Sequence, residues 1–393
     1  MLVARVIGDC PGCGGSQCYG NVSIGRDHIV RGCGRCDYRS LYPLPPLKPK
    51  KILYLDQNFF SAAFRNKIDP SKGQPEIVRV VRRIKGLAAA QMIAVPLSSV
   101  HERETRQWDL RKEALEFLKT TSRGHEFERD YKVERTQVLR AFSAWLNGKP
   151  PKYQIEPGDA LTQRVHDWED YFFVDVELDR GDGSEERSRK LGSVENLVNL
   201  FDGWRADHTS FEQDFRGELE AQVQLYRREH ERWYLASASG DIEALLSTPL
   251  IERMRQLLQK RVSWEEGVRK CRDFLRSEHF ANVPVHAITC RTHASLKQEV
   301  MRGAYAQRDR ALSKLRGYYT DLDHIAHYAP YCDAIAVDKA MAELMKKPGV
   351  ALADSYNLHV FSLGTIEAFD VWLDEIEYSQ TEEHREALRA AYG

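Results

Sequence analysis

The 393-residue chain carries 57 Lys/Arg against 58 Asp/Glu, a net charge of −1, with 42% hydrophobic residues and a mean hydropathy of −0.53. No apolar run approaches the roughly 18 residues that span a bilayer, which argues against a membrane segment, and the opening apolar stretch is too short for a signal peptide, so a cytoplasmic protein is expected. The length allows two or three domains and a substantial core.

Residues 1–40 open the chain with five of its eight cysteines. Four of them form Cys10-Pro-Gly-Cys13 and Cys33-Gly-Arg-Cys36, separated by 19 residues, a spacing suited to a four-cysteine zinc site built on two turns. The pattern resembles a zinc ribbon. Four thiolates leave no open coordination position, so the expected Zn2+ is structural, and Cys18 is read as a bystander. Residues 1–51 hold eight Lys/Arg and three Asp, an excess that suits nucleic acid but also fits a solvated basic face. A ribbon of this kind holds either nucleic acid or a protein partner. Residues 41–50, with four prolines, read as a semi-rigid linker.

Residues 51–120 read as the first part of an α/β unit. Ile52 to Leu55 form a short apolar run ending on Asp56, as expected for a strand buried on both faces of a parallel sheet. Asn58 is the expected N-cap of a helix over 58–66, followed by a second helix over 75–90 and a strand over 92–96. A long helix is expected from Ser98 to about residue 119. Ser99 and Glu102 match a capping box, which would keep Glu102 busy with Ser99. Glu102 and Glu104 point about 200° apart around a helix, so only one can serve the sheet edge that holds Asp56, and Glu102 is the expected one.

Residues 121–314 interleave charged and aromatic residues at helical spacing and read as a large helical insertion covering the sheet edge. Two loops are expected within it, at 148–158 and in the polar, disorder-prone stretch 179–190. Cys290-Arg-Thr-His293 has ligand-like spacing, although buried cysteines and core histidines are commoner.

The α/β pattern resumes over 315–393. Asp321 and Asp323 open a helix that Thr320 can cap, Ala334 to Val337 form a strand ending on Asp338, and a helix, a strand over 359–362 and a last helix over 365–377 follow. Each acid has a local reason to be present. Together at one edge they would repel and raise one another's pKa, an arrangement that cations neutralise, and hard oxygen ligands select Mg2+ or Mn2+.

The order of these words, Tyr54-Leu-Asp56-Gln-Asn58, Ser98-Ser-Val-His-Glu102, Asp321-Leu-Asp323-His324 and Asp333-Ala-Ile-Ala-Val-Asp338, resembles a PIN-like nuclease over residues 51–120 and 315–377. The resemblance implies a PIN-like parallel sheet flanked by helices and split by the insertion. It implies Asp56, Glu102, Asp323 or Asp321, and Asp338 as catalytic metal-binding acids. Asn58 and Ser99 are expected to support them, and Asp333 to be more structural than catalytic. The implied activity is two-metal phosphodiester hydrolysis with Mg2+ or Mn2+, on RNA ahead of DNA, in a regulated enzyme such as a toxin or antiphage effector. The partners expected are nucleic acid, a protein bound through the ribbon or the insertion, and no membrane. Two alternatives stand beside it: a PIN-like binding or scaffold protein without activity, and an aspartyl phosphatase, which the Asn at position 58 disfavours.

Overall fold

The structure, a computed structural model, describes residues 2–72, 74–105, 110–162, 164–171, 184–241, 248–259 and 261–393. Four short strands come first: β1 (Arg5–Gly8), β2 (Tyr19–Ile24), β3 (His28–Cys33) and β4 (Arg39–Pro43), paired antiparallel in sequential order. Then follow β5 (Lys51–Leu55), α1 (Gln57–Ile68), α2 (Pro75–Ala89), β6 (Ile93–Ala94), α3 (Ser99–Thr105) and α4 (Arg111–Ser122). The long helix expected from Ser98 is therefore described as two pieces, with residues 106–109 outside the described ones.

The helical stretch contains α5 (Asp130–Leu146), α6 (Ser184–Asn199), α7 (Phe201–Ala206), α8 (Phe211–Ala238), α9 (Leu250–Leu258), α10 (Trp264–Phe274), α11 (Glu278–Ala281), α12 (Pro284–Met301) and α13 (Arg308–Lys314). The disorder-prone stretch at 179–190 divides: residues 179–183 lie outside the described ones, and from Ser184 the chain is helical. The end of the chain supplies α14 (Tyr318–Tyr328), β7 (Ala334–Ala336), α15 (Lys339–Met345), α16 (Leu352–Tyr356), β8 (His359–Phe361), α17 (Ile366–Tyr378) and α18 (Glu382–Ala391).

Strands β6, β5, β7 and β8 lie side by side in that order, all parallel. Ile52, Leu53, Tyr54 and Leu55 are all at most 3% exposed, because alternate side chains enter two different cores. Leu53 and Leu55 pack with Phe59, Phe60, Ile84, Phe369 and Trp372, so α1, α2 and α17 cover one face. Ile52 and Tyr54 pack with Phe127, Val138, Ile325 and Tyr328 from the helical stretch and α14. The insertion is thus more than a cover over the sheet edge: it forms one whole layer of an α/β/α sandwich.

The expected linker is a docked strap. Leu44 and Lys50 are buried, and the Trp168 indole N–H donates to the Pro45 carbonyl at 2.9 Å. The ribbon is tied to α18, where the Asn21 amide donates to the carbonyls of Ala390 and Ala391 at 2.9 and 3.1 Å. Beneath the strap, Glu169 accepts from Lys50 Nζ at 2.9 Å, Arg123 Nε at 2.7 Å and His125 Nε2 at 3.0 Å. Burial would raise the Glu169 pKa, but His125, Lys50 and Arg123 outweigh it and hold the carboxyl at about 2.

Replacing Glu169 with Ala leaves Lys50 charged and buried, and is expected to cost roughly 3–5 kcal/mol in urea unfolding. Because the folded carboxyl titrates below its ordinary value of 4.5, the wild-type contribution is present above that pH and is lost as pH falls toward 2. Unfolding curves collected across this window should converge for wild type and Glu169→Ala at the acid end.

Candidate functional site

Asp56 follows directly on the last residue of β5. Its backbone N–H donates to the Ala336 carbonyl at 2.8 Å, so the pairing with β7 continues into the acid itself. Asp338 stands two residues beyond Ala336, and both acids therefore occupy the carboxyl edge of adjacent parallel strands. β5 leads to β6 on one side and β7 to β8 on the other, so the sheet order reverses between β5 and β7, the kind of point at which open α/β sheets bind ligands.

Both aspartates cap helices. Asp56 Oδ1 accepts the Gln57 N–H at 2.7 Å, and Asp338 accepts the Met341 N–H at 2.7 Å. The expected cap role of Asn58 belongs to Asp56, because the helix starts one residue earlier, and Asn58 instead donates its side-chain amide to Asp56 Oδ2 at 2.8 Å. The two interactions hold the carboxylate at both oxygens.

Asp56 is 5% exposed and its pKa is pushed up to about 7. Burial is the largest cause, followed by the nearby charges of Glu104 and Asp338, while the Gln57 and Asn58 hydrogen bonds act in the opposite direction. Tyr54, beneath the edge, feels Asp56, Glu104 and Asp321. Asp321 and Asp338 line one small hollow of about 10 Å³ with Tyr305 and Lys314. Glu104 and Asp338 thus act on Asp56, and Asp321 and Asp338 share the small hollow.

Of the two glutamates, Glu104 is the one whose charge raises the Asp56 pKa. At the start of α3 the reciprocal cap forms between Ser98 and His101 instead of Ser99 and Glu102: the Ser98 N–H donates to His101 Nδ1 at 3.0 Å and the His101 N–H to Ser98 Oγ at 3.5 Å. With Nδ1 an acceptor, His101 Nε2 carries the proton and donates to the Leu55 carbonyl at 2.8 Å, just before Asp56. Burial holds the His101 pKa down at about 4, consistent with a neutral ring. Glu102 and Ser99 line a different hollow with Arg103, Glu126, Arg129 and Asp130. His101 carried no motif signal of its own, but the Ser-x-x-His spacing from Ser98 is its trace in the sequence.

Asp321 and Asp323 are also about 200° apart on α14. Asp323 is committed to His327, with Oδ1 3.2 Å from Nδ1. Burial would lower the His327 pKa, yet Asp323 lifts it to about 9. The helix begins at Tyr318 with Gly317 as its cap, so Thr320 lies within it. Asp333 sits at the opposite end of the sheet from Asp56: Oδ2 accepts the Ile52 N–H at 2.8 Å and Oδ1 accepts from Lys51 Nζ at 2.7 Å. It clamps the start of β5 to β7 and does not support the acids at the other edge.

The second candidate centre is the cysteine cluster. Cys10, Cys13, Cys33 and Cys36 present sulfurs all within 4.8 Å of one another, and they are the group of potential metal ligands that close together among the described residues. Cys10 and Cys36 sulfurs are 3.7 Å apart and Cys13 and Cys33 sulfurs 3.9 Å, near the edge of about 3.8 Å of a tetrahedron with Zn–S bonds of about 2.3 Å. Backbone N–H groups of Gly12 and Arg35 point at Cys10 and Cys33 sulfurs at 3.3 and 3.2 Å. Gly12 is needed because a Cβ there would lie 2.8 Å from the Tyr38 ring. These residues fit a structural zinc. Cys18 is closer than a bystander, with its sulfur 3.3 Å from that of Cys33.

The carboxylates are wider apart than the cysteines, since no group of three closes within the same 4.8 Å among the described residues. Cys271 and Cys290 are buried core residues, His286 Nε2 lies 3.0 Å from the Tyr226 hydroxyl and His293 Nδ1 3.1 Å from that of Tyr318. No helix is long and apolar enough to cross a membrane among the described residues. Comparison with protein-family models, with curated proteins and with solved structures gives no match.

Metal analysis of the purified protein should give about one zinc per chain, and Cys33→Ser should lose it together with hydrogen-exchange protection in β2 and β3. For Asp56, the folded carboxyl binds its proton more tightly than the ordinary value of 3.8 allows, so its contribution to stability fades as pH rises from about 4 through 7. Asp56→Asn is accordingly expected to raise stability of the metal-free protein at pH 8 by about 1–4 kcal/mol, measured by thermal unfolding.

Proposed function

We propose that the protein is a metal-dependent nuclease of the PIN-like kind, with Asp56, Glu104, Asp321 and Asp338 as its acids and RNA as its first substrate. The observation that carries this reading is the β5–β7 pairing, which sets Asp56 and Asp338 side by side at the crevice of a parallel sheet, with Glu104 as a third charge on Asp56. The cation those donors suit is Mg2+ or Mn2+, which when bound supplies Lewis acidity and lowers the pKa of a water.

The chain's own part is to hold the carboxylates in register. Gln57 and Asn58 fix the two Asp56 oxygens, the Met341 N–H fixes Asp338, and His101 anchors the carbonyl preceding Asp56. Lys314 lines the hollow shared by Asp321 and Asp338 and is a candidate to receive a phosphate. The ribbon and its basic excess offer a surface for the same substrate or for a partner protein.

Wild type incubated with labelled single- and double-stranded RNA and DNA in Mn2+ should cleave, with RNA cut faster. Asp338→Asn and Glu104→Gln are each expected to lose about 100-fold or more in rate, and Glu102→Gln less than about 10-fold. Absence of cleavage by wild type, or equal cleavage by Asp338→Asn, would favour the scaffold alternative. A larger loss in Glu102→Gln than in Glu104→Gln would overturn the choice of acid.

A further inference from the structure

A hollow of about 540 Å³ lies in the helical layer between the second half of α8 and helices α9 and α10, on elements that carry none of the acids above. Its volume falls in the range of small-molecule sites, roughly 300–1,000 Å³. Three aromatic side chains, Trp233, Tyr234 and Trp264, line it. Tyr234 and Trp264 are each 63% exposed, so they are not core residues that happen to follow helical spacing.

Polar groups converge on the same hollow. Glu252 is buried at 6% exposure and takes both Arg255 contacts, Nε at 2.8 Å and Nη2 at 2.5 Å. His230 stacks on Trp233, and its Nε2 is 3.7 Å from Glu252, beyond hydrogen-bond range; this nitrogen and the Ser237 hydroxyl oxygen are buried atoms without hydrogen-bond partners. Buried polar atoms left unmatched are rare and point to a group that completes them. Arg227 adds positive charge and makes no ion pair among the described residues, and Arg272, 3.1 Å from Asp273, lies beside it.

We infer that this hollow binds a nucleoside phosphate, free or as one residue of a single strand. The flat faces of Trp264 and Tyr234 suit a base, since aromatic stacking accepts any base. His230 and Ser237 supply the polar atoms that a base edge needs, while Glu252 holds Arg255 in place beside them. The arginines suit the phosphate, which prefers planar guanidinium donors. An acyl chain would leave the imidazole and hydroxyl unmatched in an apolar contact, so a lipid fits the aromatic walls but not the polar groups between them.

The test uses the full chain in buffer without Mg2+ or Mn2+, in wild type and in the Asp338→Asn background, so that its outcome does not depend on cleavage. Tryptophan fluorescence and calorimetry are followed on titration with AMP, adenosine, inorganic phosphate and a single-stranded tetranucleotide. Saturable binding of AMP or the tetranucleotide is expected, with adenosine and phosphate each at least about 10-fold weaker, and with Trp264→Ala and Arg227→Glu each weakening it about 10-fold or more. Both substitutions are at surface side chains, and an unchanged melting temperature and circular dichroism keep the comparison interpretable. AMP binding at least as tight as the tetranucleotide identifies a free nucleotide site; tighter tetranucleotide binding identifies a strand contact. No saturable binding of either probe, or binding that both substitutions leave unchanged, overturns the inference.

Discussion

The parallel hydrogen bonding of β5 to β7 is the constraint on which the rest of the structure depends, because it joins residues 51–55 to residues 334–336 and so closes the long helical excursion between them. Its two ends have different chemistry. At the start, Asp333 bonds the Ile52 N–H and Lys51, a satisfied clamp that sets the register. At the finish, the Asp56 N–H bonds the Ala336 carbonyl, and Asp338 follows two residues on. A one-residue slip would exchange the two faces of β5, sending Leu53 and Leu55 into the helical layer and Ile52 and Tyr54 into the other.

Beneath the proposed site lies a buried set of polar groups whose bonding fixes the acids. The Tyr54 hydroxyl meets His324 Nδ1 at 2.5 Å, Ser98 lies 3.4 Å from the same nitrogen, and His101 bonds the Leu55 carbonyl. Burial lowers both histidines' affinity for protons, which keeps their positive charge away from the floor. Such a floor supports a site that accepts a cation from outside. It also explains why the helical layer matters to the chemistry: Tyr328 and Phe127, which dry this floor, come from that layer and its junction with α14.

The ribbon completes the molecule in a different way. Its sheet is short and its own core is small, formed around Cys10, Cys18 and Cys33, so most of its organisation comes from the cysteine cluster and from docking on α18 and Trp168. The buried Lys50–Glu169 pair links the strap to the loop that carries Trp168, and makes the ribbon part of the same body as the sheet. A partner on the ribbon would therefore press on a structure continuous with β5, whose first residue follows Lys50.

The elements whose signal is local were legible in the sequence. The four strands of the parallel sheet, the two helices after β5, the cysteine pairs and the placement of Asp56 and Asp338 at strand ends follow from apolar runs, turn residues and cysteine spacing, all of which act within a few residues. What depended on helix phase or on distant neighbours was not. The cap of α3 formed on Ser98 and His101, whose ring also bonds the Leu55 carbonyl 46 residues away. Asp321 over Asp323 was decided by His327, and the strap at 44–50 by Glu169, because a charge goes where a partner stabilises it and the partner is supplied only by the folded chain. The sequence by itself determined that acids would stand at the ends of buried strands; tertiary packing decided which partners each of them meets, since periodicity gives a residue's direction only relative to its own element.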